Sequence, residues 1–323
     1  MSLQKTNLAT TTSITTTYAG EYAGRYIAAA LLSAPTLDKG GITIVPNVKF
    51  KQVIKRVATD SIIANATCDF DPTSTITLTE KILQPEEFQV NLQLCKKDFV
   101  SDWEAIAMGY SAFEVMPKNF TDFLLAHAAE KVAAAMETSI WTGVNATAGQ
   151  FAGIMTQLTT DAALPSAQEV AGTTVTAANV VAELGKIVDA CPAAIYGKED
   201  LNIYVSNNIY RAYVRALGGF AAAGVGANGY DNKGTNQVLT DLYFDGVRIF
   251  LANGLASNTA LLAQKSNLYF ATGLLNDMNE VRVIDMAEND GSQNVRVVMR
   301  FTADAKYGFA SDVVTYGITN SAN

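Results

Sequence analysis

One histidine and three cysteines are all that 323 residues offer for soft metal ligation or thiol chemistry. Cys68, Cys95 and Cys191 are widely separated, form no Cys-x-x-Cys pair and do not neighbour His127, so neither a disulfide framework nor a conventional zinc site is expected. His127 lies in the apolar run Leu125-Ala126-His127-Ala128-Ala129 with no nucleophile or carboxylate beside it, and it reads as a packing or subunit-contact position rather than a member of a triad. Charge is also scarce, at 17% of residues. No stretch approaches the roughly 18 apolar residues of a membrane-spanning helix. No basic head with an apolar run of signal-peptide length opens the chain, so synthesis in a reducing cytoplasm is expected and the sequons at Asn65, Asn119 and Asn145 read as chance matches.

What is present is apolar: 49% of residues, enough for a substantial core. The formal net charge of -8 argues against dedicated nucleic-acid binding, which is driven by Lys and Arg neutralising phosphates. The charge is unevenly spread. Residues 1–60 carry seven basic side chains (Lys5, Arg25, Lys39, Lys49, Lys51, Lys55, Arg56) against Glu21, Asp38 and Asp60, a net of +4 that leaves -12 for the rest. A basic leading segment and an acidic remainder favour association between copies, and a solvated face is the plainer alternative.

The organising element is Pro117 to Gly143, PKNFTDFLLAHAAEKVAAAMETSIWTG. Asn119 is a candidate N-cap and Gly143 a candidate left-handed end. Phe120, Leu124, Ala128, Val132, Met136 and Ile140 recur every fourth residue, while Lys118, Glu130, Lys131 and Glu137 are expected to fall away from that stripe.

Ahead of the helix, residues 1–20 are threonine-rich and nearly uncharged, an extended arm. Glu21 to Leu32 reads as a short helix closed by Pro35, and the basic-apolar alternation from Lys49 reads as an exposed strand. Thr75 to Thr79 and Phe88 to Leu94 each have period two, and with Leu83 to Glu87 as their connection they are expected to form a long, half-exposed hairpin. Asp98 to Ala107 reads as a short helix.

Beyond Gly143 a Gly-, Ala- and Thr-rich connection to about Thr174 marks an expected domain boundary. A second unit follows: a helix capped by Thr176 with Val180, Val181, Leu184, Ile187 and Val188 on one face, a strand from Leu201 to Ser206, a helix from Asn207 to Leu217, and a glycine-rich loop. Asp245-Gly246 is the strongest two-residue hairpin turn in the chain. Short strands at 260–263 and 268–271 precede two alternating strands, Val281 to Ile284 and Val295 to Phe301. The only unmatched apolar surface of comparable length is the helix stripe, so these last strands are expected to pack on it.

Gly224-Val-Gly226-Ala-Asn-Gly229 spells the dinucleotide-binding pattern, but that pattern needs a strand before it and a helix opening within it, and here it lies inside a longer glycine-rich loop. A nucleotide-binding enzyme using this loop is the alternative from a different class. Glu86, Glu87, Glu288 and Asp290 sit in turns, the ordinary solvated place for carboxylates.

The order of elements resembles the major capsid proteins of tailed double-stranded DNA bacteriophages, the HK97 fold, an α+β architecture. Gly40-Gly41-Ile42-Thr43-Ile44-Val45-Pro46-Asn47 and FQVNLQLCKKDFVSDW (Phe88 to Trp103) are similar to phrases of that family. The resemblance implies an N-terminal arm (1–56), an extended loop (57–97), a peripheral domain (98–174 and 280–323) with spine helix 117–143, and an axial domain (175–279). It implies no enzymatic activity and no cofactor or metal. It implies pentamers and hexamers of an icosahedral shell around packaged double-stranded DNA that is contacted at most non-specifically. Portal, scaffolding and decoration or head-completion proteins are the implied partners, and the virion, assembled in the host cytoplasm, is the implied location. An encapsulin compartment is the close variant. No long scaffolding segment precedes the arm, so a separate scaffolding protein or a processed precursor is expected, and no residue pattern points to chemical cross-linking. The residues assigned to contacts between subunits are Arg25, Lys49, Lys51, Lys55, Arg56, Glu86 and Glu87. Phe120, Leu124, Val132, Met136 and Ile140 are assigned to the spine core, and Gly224, Gly226 and Gly229 to the axial loop.

Overall fold

The structure, a computed structural model, describes residues 35–59, 62–63, 65–66, 68, 74–95, 118–217, 242–273 and 282–322. In chain order the elements are α1 (Pro35–Asp38), β1 (Thr43–Val45), β2 (Gln52–Thr59), β3 (Ile76–Leu83), β4 (Glu86–Cys95), α2 (Lys118–Thr142), α3 (Ile154–Leu158), β5 (Glu169–Val170), α4 (Val180–Asp189), β6 (Leu201–Val205) and α5 (Asn207–Ala216). They continue with β7 (Leu242–Phe244), β8 (Val247–Leu251), β9 (Ala260–Gln264), β10 (Leu268–Thr272), β11 (Arg282–Asp285), α6 (Ala287–Asp290), β12 (Asn294–Tyr307) and β13 (Val313–Tyr316). The expected helices at 21–32 and 98–107 lie outside the described residues.

Two large sheets, beside the two-stranded pair β2-β3, organise the described residues. The first runs β1-β10-β12-β11, with β4 also paired to β12. Ala303 of β12 pairs with both Glu86 and Thr272, so β4 lies along one side of β12 and β10 along the other. The second runs β5-β13-β9-β6-β8-β7. The sheets trade strands across the boundary expected at residue 280: β10 joins the first and β13 the second. The glycine-rich stretch after α2 is likewise no loose connection, because Phe151, Ile154, Met155, Leu158 and Leu164 are buried in the main core.

That core is where α2 earns its central position. Met136 and Ile140 are buried and Val132 packs beside them, in one cluster with Phe301, Ala303 and Ala305 of β12. The side chains of Phe120 and Leu124 lie outside the described part. Gly254 touches the helix directly: a Cβ there would stand 2.0 Å from the Glu137 carbonyl oxygen, so only glycine fits.

Several local readings need correction. Gly143 has no positive φ, so α2 does not end on a left-handed glycine; Asn179, not Thr176, stands at the N-cap of α4; Glu86 and Glu87 open β4, and Glu288 and Asp290 lie in α6. Asn119 lies inside α2, which begins at Lys118. Pro35 opens the one-turn α1, as suits a residue with fixed φ and no N–H to satisfy, and the expected helix ahead of it lies outside the described residues. Val181 points outward on α4 while Val180, Leu184 and Ile187 are buried. The largest change concerns the hairpin: β3 pairs with β2, whereas β4 pairs with β12. A two-residue hairpin turn needs positive φ at a central residue, and neither Gln84 nor Pro85 has it. The chain therefore runs on from one sheet into another. By contrast Asp245 (φ 46°) and Gly246 (φ 78°) make the expected tight turn between β7 and β8.

Candidate assembly surface

The β2–β3 hairpin is amphipathic by register. Val53 pairs with Ile82, Lys55 with Glu80 and Val57 with Leu78, and Ile76 stands two residues before Leu78 on its strand, so these seven side chains share one face. Its apolar members are open to solvent: Val57 is 61% exposed, Leu78 64% and Ile76 69%, with Val53 and Ile82 also exposed. A two-stranded sheet with a bare apolar face is marginal in water on its own. Completing the burial of these five residues is worth about 1 kcal/mol each, on the order of 5 kcal/mol per hairpin.

The hairpin is fixed at its root. Leu83 is fully buried against Val48 and Ala271, and Ile54 packs beside them. Lys81 donates to Asp161 Oδ2 at 2.8 Å, and its Nζ stands 4.8 Å from the centre of the Tyr307 ring, whose hydroxyl also donates to Asp161. Burial alone pushes the Asp161 carboxyl up, but the hydrogen bonds from Lys81 and Tyr307 outweigh it and hold the group below the usual carboxylate range. Burial, together with the Asp161 charge, raises the Tyr307 hydroxyl. Where β3 hands over to β4, the Gln84 N–H donates to Asp304 Oδ2 at 2.9 Å. Burial is the main cause that pushes Asp304 up to about 6, against the partial opposition of that hydrogen bond and of Lys306.

A second anchor lies where the chain enters the described fold. Glu137, expected on the solvent side of α2, is 0% exposed. Its Oε1 accepts from Thr36 Oγ1 (2.6 Å) and Trp141 Nε1 (3.2 Å), its Oε2 from the Thr36 N–H (3.2 Å). Trp141 Nε1 also reaches Thr36 Oγ1 at 2.9 Å. Burial raises the Glu137 carboxyl, and these hydrogen bonds only partly offset it. The signal for this residue was Trp141, one helical turn further on and on the same face.

The residues assigned to contacts in the sequence separate accordingly. Lys49, Lys51 and Lys55 are exposed along the approach to β2 and on the strand itself. Arg56 is opposite Thr79, on the other face from Lys55. Glu86 is held within the chain by Asn145 Nδ2 at 2.8 Å, and Glu87 is exposed. His127 is half-buried on α2. Arg25, Gly224, Gly226 and Gly229 lie outside the described residues. Among the described residues no group of three or more His, Cys, Asp or Glu side chains is arranged to hold a metal ion, and no helix is long and apolar enough to cross a membrane.

No protein-family model matches the sequence, and no characterised protein matches it at the level of sequence. Solved structures do match. The capsid of a native GTA particle computed with C5 symmetry superposes with a TM-score of 0.57 at 14% identity, covering 90% of this chain and 91% of that one. The capsid of the empty GTA particle gives the same values. A chain of Mycobacterium phage Bobi gives 0.55 at 14% identity over 92% of this chain and 94% of that one. The chain has the α+β, HK97-type fold of phage capsid structures.

Proposed function

We propose that this chain is a major capsid protein: many copies assemble through pentamers and hexamers into an icosahedral shell that encloses double-stranded DNA. The observation that carries the reading is the hairpin. A well-anchored root and a bare apolar face make little sense for a monomer, whereas a shell covers that face with another copy. The role is structural and not catalytic. In this reading residues 1–56 act as the arm, 57–97 as the extended loop, α2 as the spine of a peripheral domain (98–174 and 280–323), and 175–279 as the axial domain. Lys49, Lys51, Lys55, Arg56 and Glu87 are contact residues, as is Arg25 within the arm. Portal, scaffolding and head-completion proteins are the expected partners, DNA contact is non-specific, and the product is a virion component made in the host cytoplasm. Electron microscopy of the purified chain tests this. Closed shells are the expected result, and a monodisperse monomer at high concentration contradicts it.

A further inference from the structure

We infer that neighbouring copies join head to tail through two unlike surfaces on opposite flanks of α5: a cationic groove on one copy and a tyrosine-aspartate edge on the next. This rests on the shell reading and names the contact within each ring.

The groove, of about 330 Å³, lies between the Val175–Ala177 segment and one flank of α5, formed by Asn208, Arg211, Ala212 and Arg215. Arg211 and Arg215 are one turn apart and exposed, and among the described residues neither forms an ion pair. They stand over an apolar floor that includes the buried Ala212.

Tyr213 is two residues from Arg211, about 200° around the helix, and so faces the other way. Its hydroxyl donates to the Tyr243 carbonyl at 2.8 Å and its ring meets Phe244 edge-on at 6.0 Å, which locates β7 on the flank opposite the groove. β7 is the outermost strand of its sheet among the described residues. Its Tyr243 is 50% exposed, as is Tyr196, whose hydroxyl donates to the Asp245 carbonyl at 3.1 Å. Asp245 is exposed at the tip of the β7–β8 turn.

The two flanks are complementary in the chemistry that dominates interface centres. Arginine and tyrosine are the residues most enriched there, a guanidinium stacks on a tyrosine face, and a carboxylate accepts from it in a bidentate pair. Because the surfaces are unlike and lie on opposite sides of one unit, the contact is heterologous and, with a rotation that closes, builds a ring instead of a two-fold dimer. The second copy is favoured over a free anion because the aromatic edge matches the apolar floor as well as the charge.

The test replaces Tyr243 by photoreactive p-benzoylphenylalanine, mixes copies labelled with light and heavy nitrogen, irradiates the assembled material and maps the adducts. Mixed-isotope adducts at 175–177 or 208–215 are the expected result. In parallel, the double variant R211E/R215E should lower shell yield at least tenfold, and adding Asp245→Lys should restore it in part. Shells whose adducts map elsewhere, or R211E/R215E shells at wild-type yield, overturn the inference and leave the shell reading standing. An unsubstituted chain that forms neither rings nor shells overturns both.

Discussion

The Thr36 hydroxyl donates to Glu137 Oε1 at 2.6 Å across 101 residues of chain, and this bond ties the entry to the described fold onto the spine helix. The carboxylate is buried, so the donors around it are required for its stability. Thr36→Val keeps the shape and removes one donor. A loss of about 1–3 kcal/mol in denaturant unfolding is expected, with the slope unchanged.

Gly254 presses its backbone against the same turn of α2. Gly254→Ala has only backbone to push against, and a cost of about 1–3 kcal/mol or more is expected from the same measurement.

Asp304 gives a pH signature. Its folded pKa of about 6 lies above the ordinary 3.8, so the native state keeps a proton that the unfolded state has lost. The contribution of this group is complete below about pH 4 and declines as pH rises to about 6. Asp304→Asn stays neutral and can still accept from Gln84. Thermal melts should show it raising stability at pH 7.5, by up to about 3 kcal/mol, with little effect at pH 4.

Lys81 anchors the hairpin through Asp161 and the Tyr307 ring. Lys81→Met should cost about 1 kcal/mol. It should speed amide hydrogen exchange in β2 and β3 while leaving β6, β8 and β9 unchanged, because only the hairpin root loses its tether.

Much of this architecture was legible in the residues. The four-residue period of α2 from Ala128 to Ile140, the Asp-Gly turn and the alternation of β12 are local signals that the described residues carry. Partner choice was less legible, because period two says which face is apolar but not which strand lies alongside; the absence of a residue that readily takes positive φ at Gln84-Pro85 was the clue against pairing β3 with β4. Glu137 was missed because a carboxylate is read as solvated unless its donors are known, and one of them, Thr36, lies 101 residues away. The root carboxylates Asp161 and Asp304 could not be read at all, since their meaning depends on Lys81 and Gln84, brought to them from 80 and 220 residues away.

The bare face of the hairpin carries the central claim, and Val57→Asp with Leu78→Asp tests it most directly. Both side chains are mostly exposed, so the account predicts an unfolding free energy within about 1 kcal/mol of the parent and, by sedimentation and electron microscopy, the loss of closed shells that the parent forms. Shells at parental yield from this double variant would contradict it.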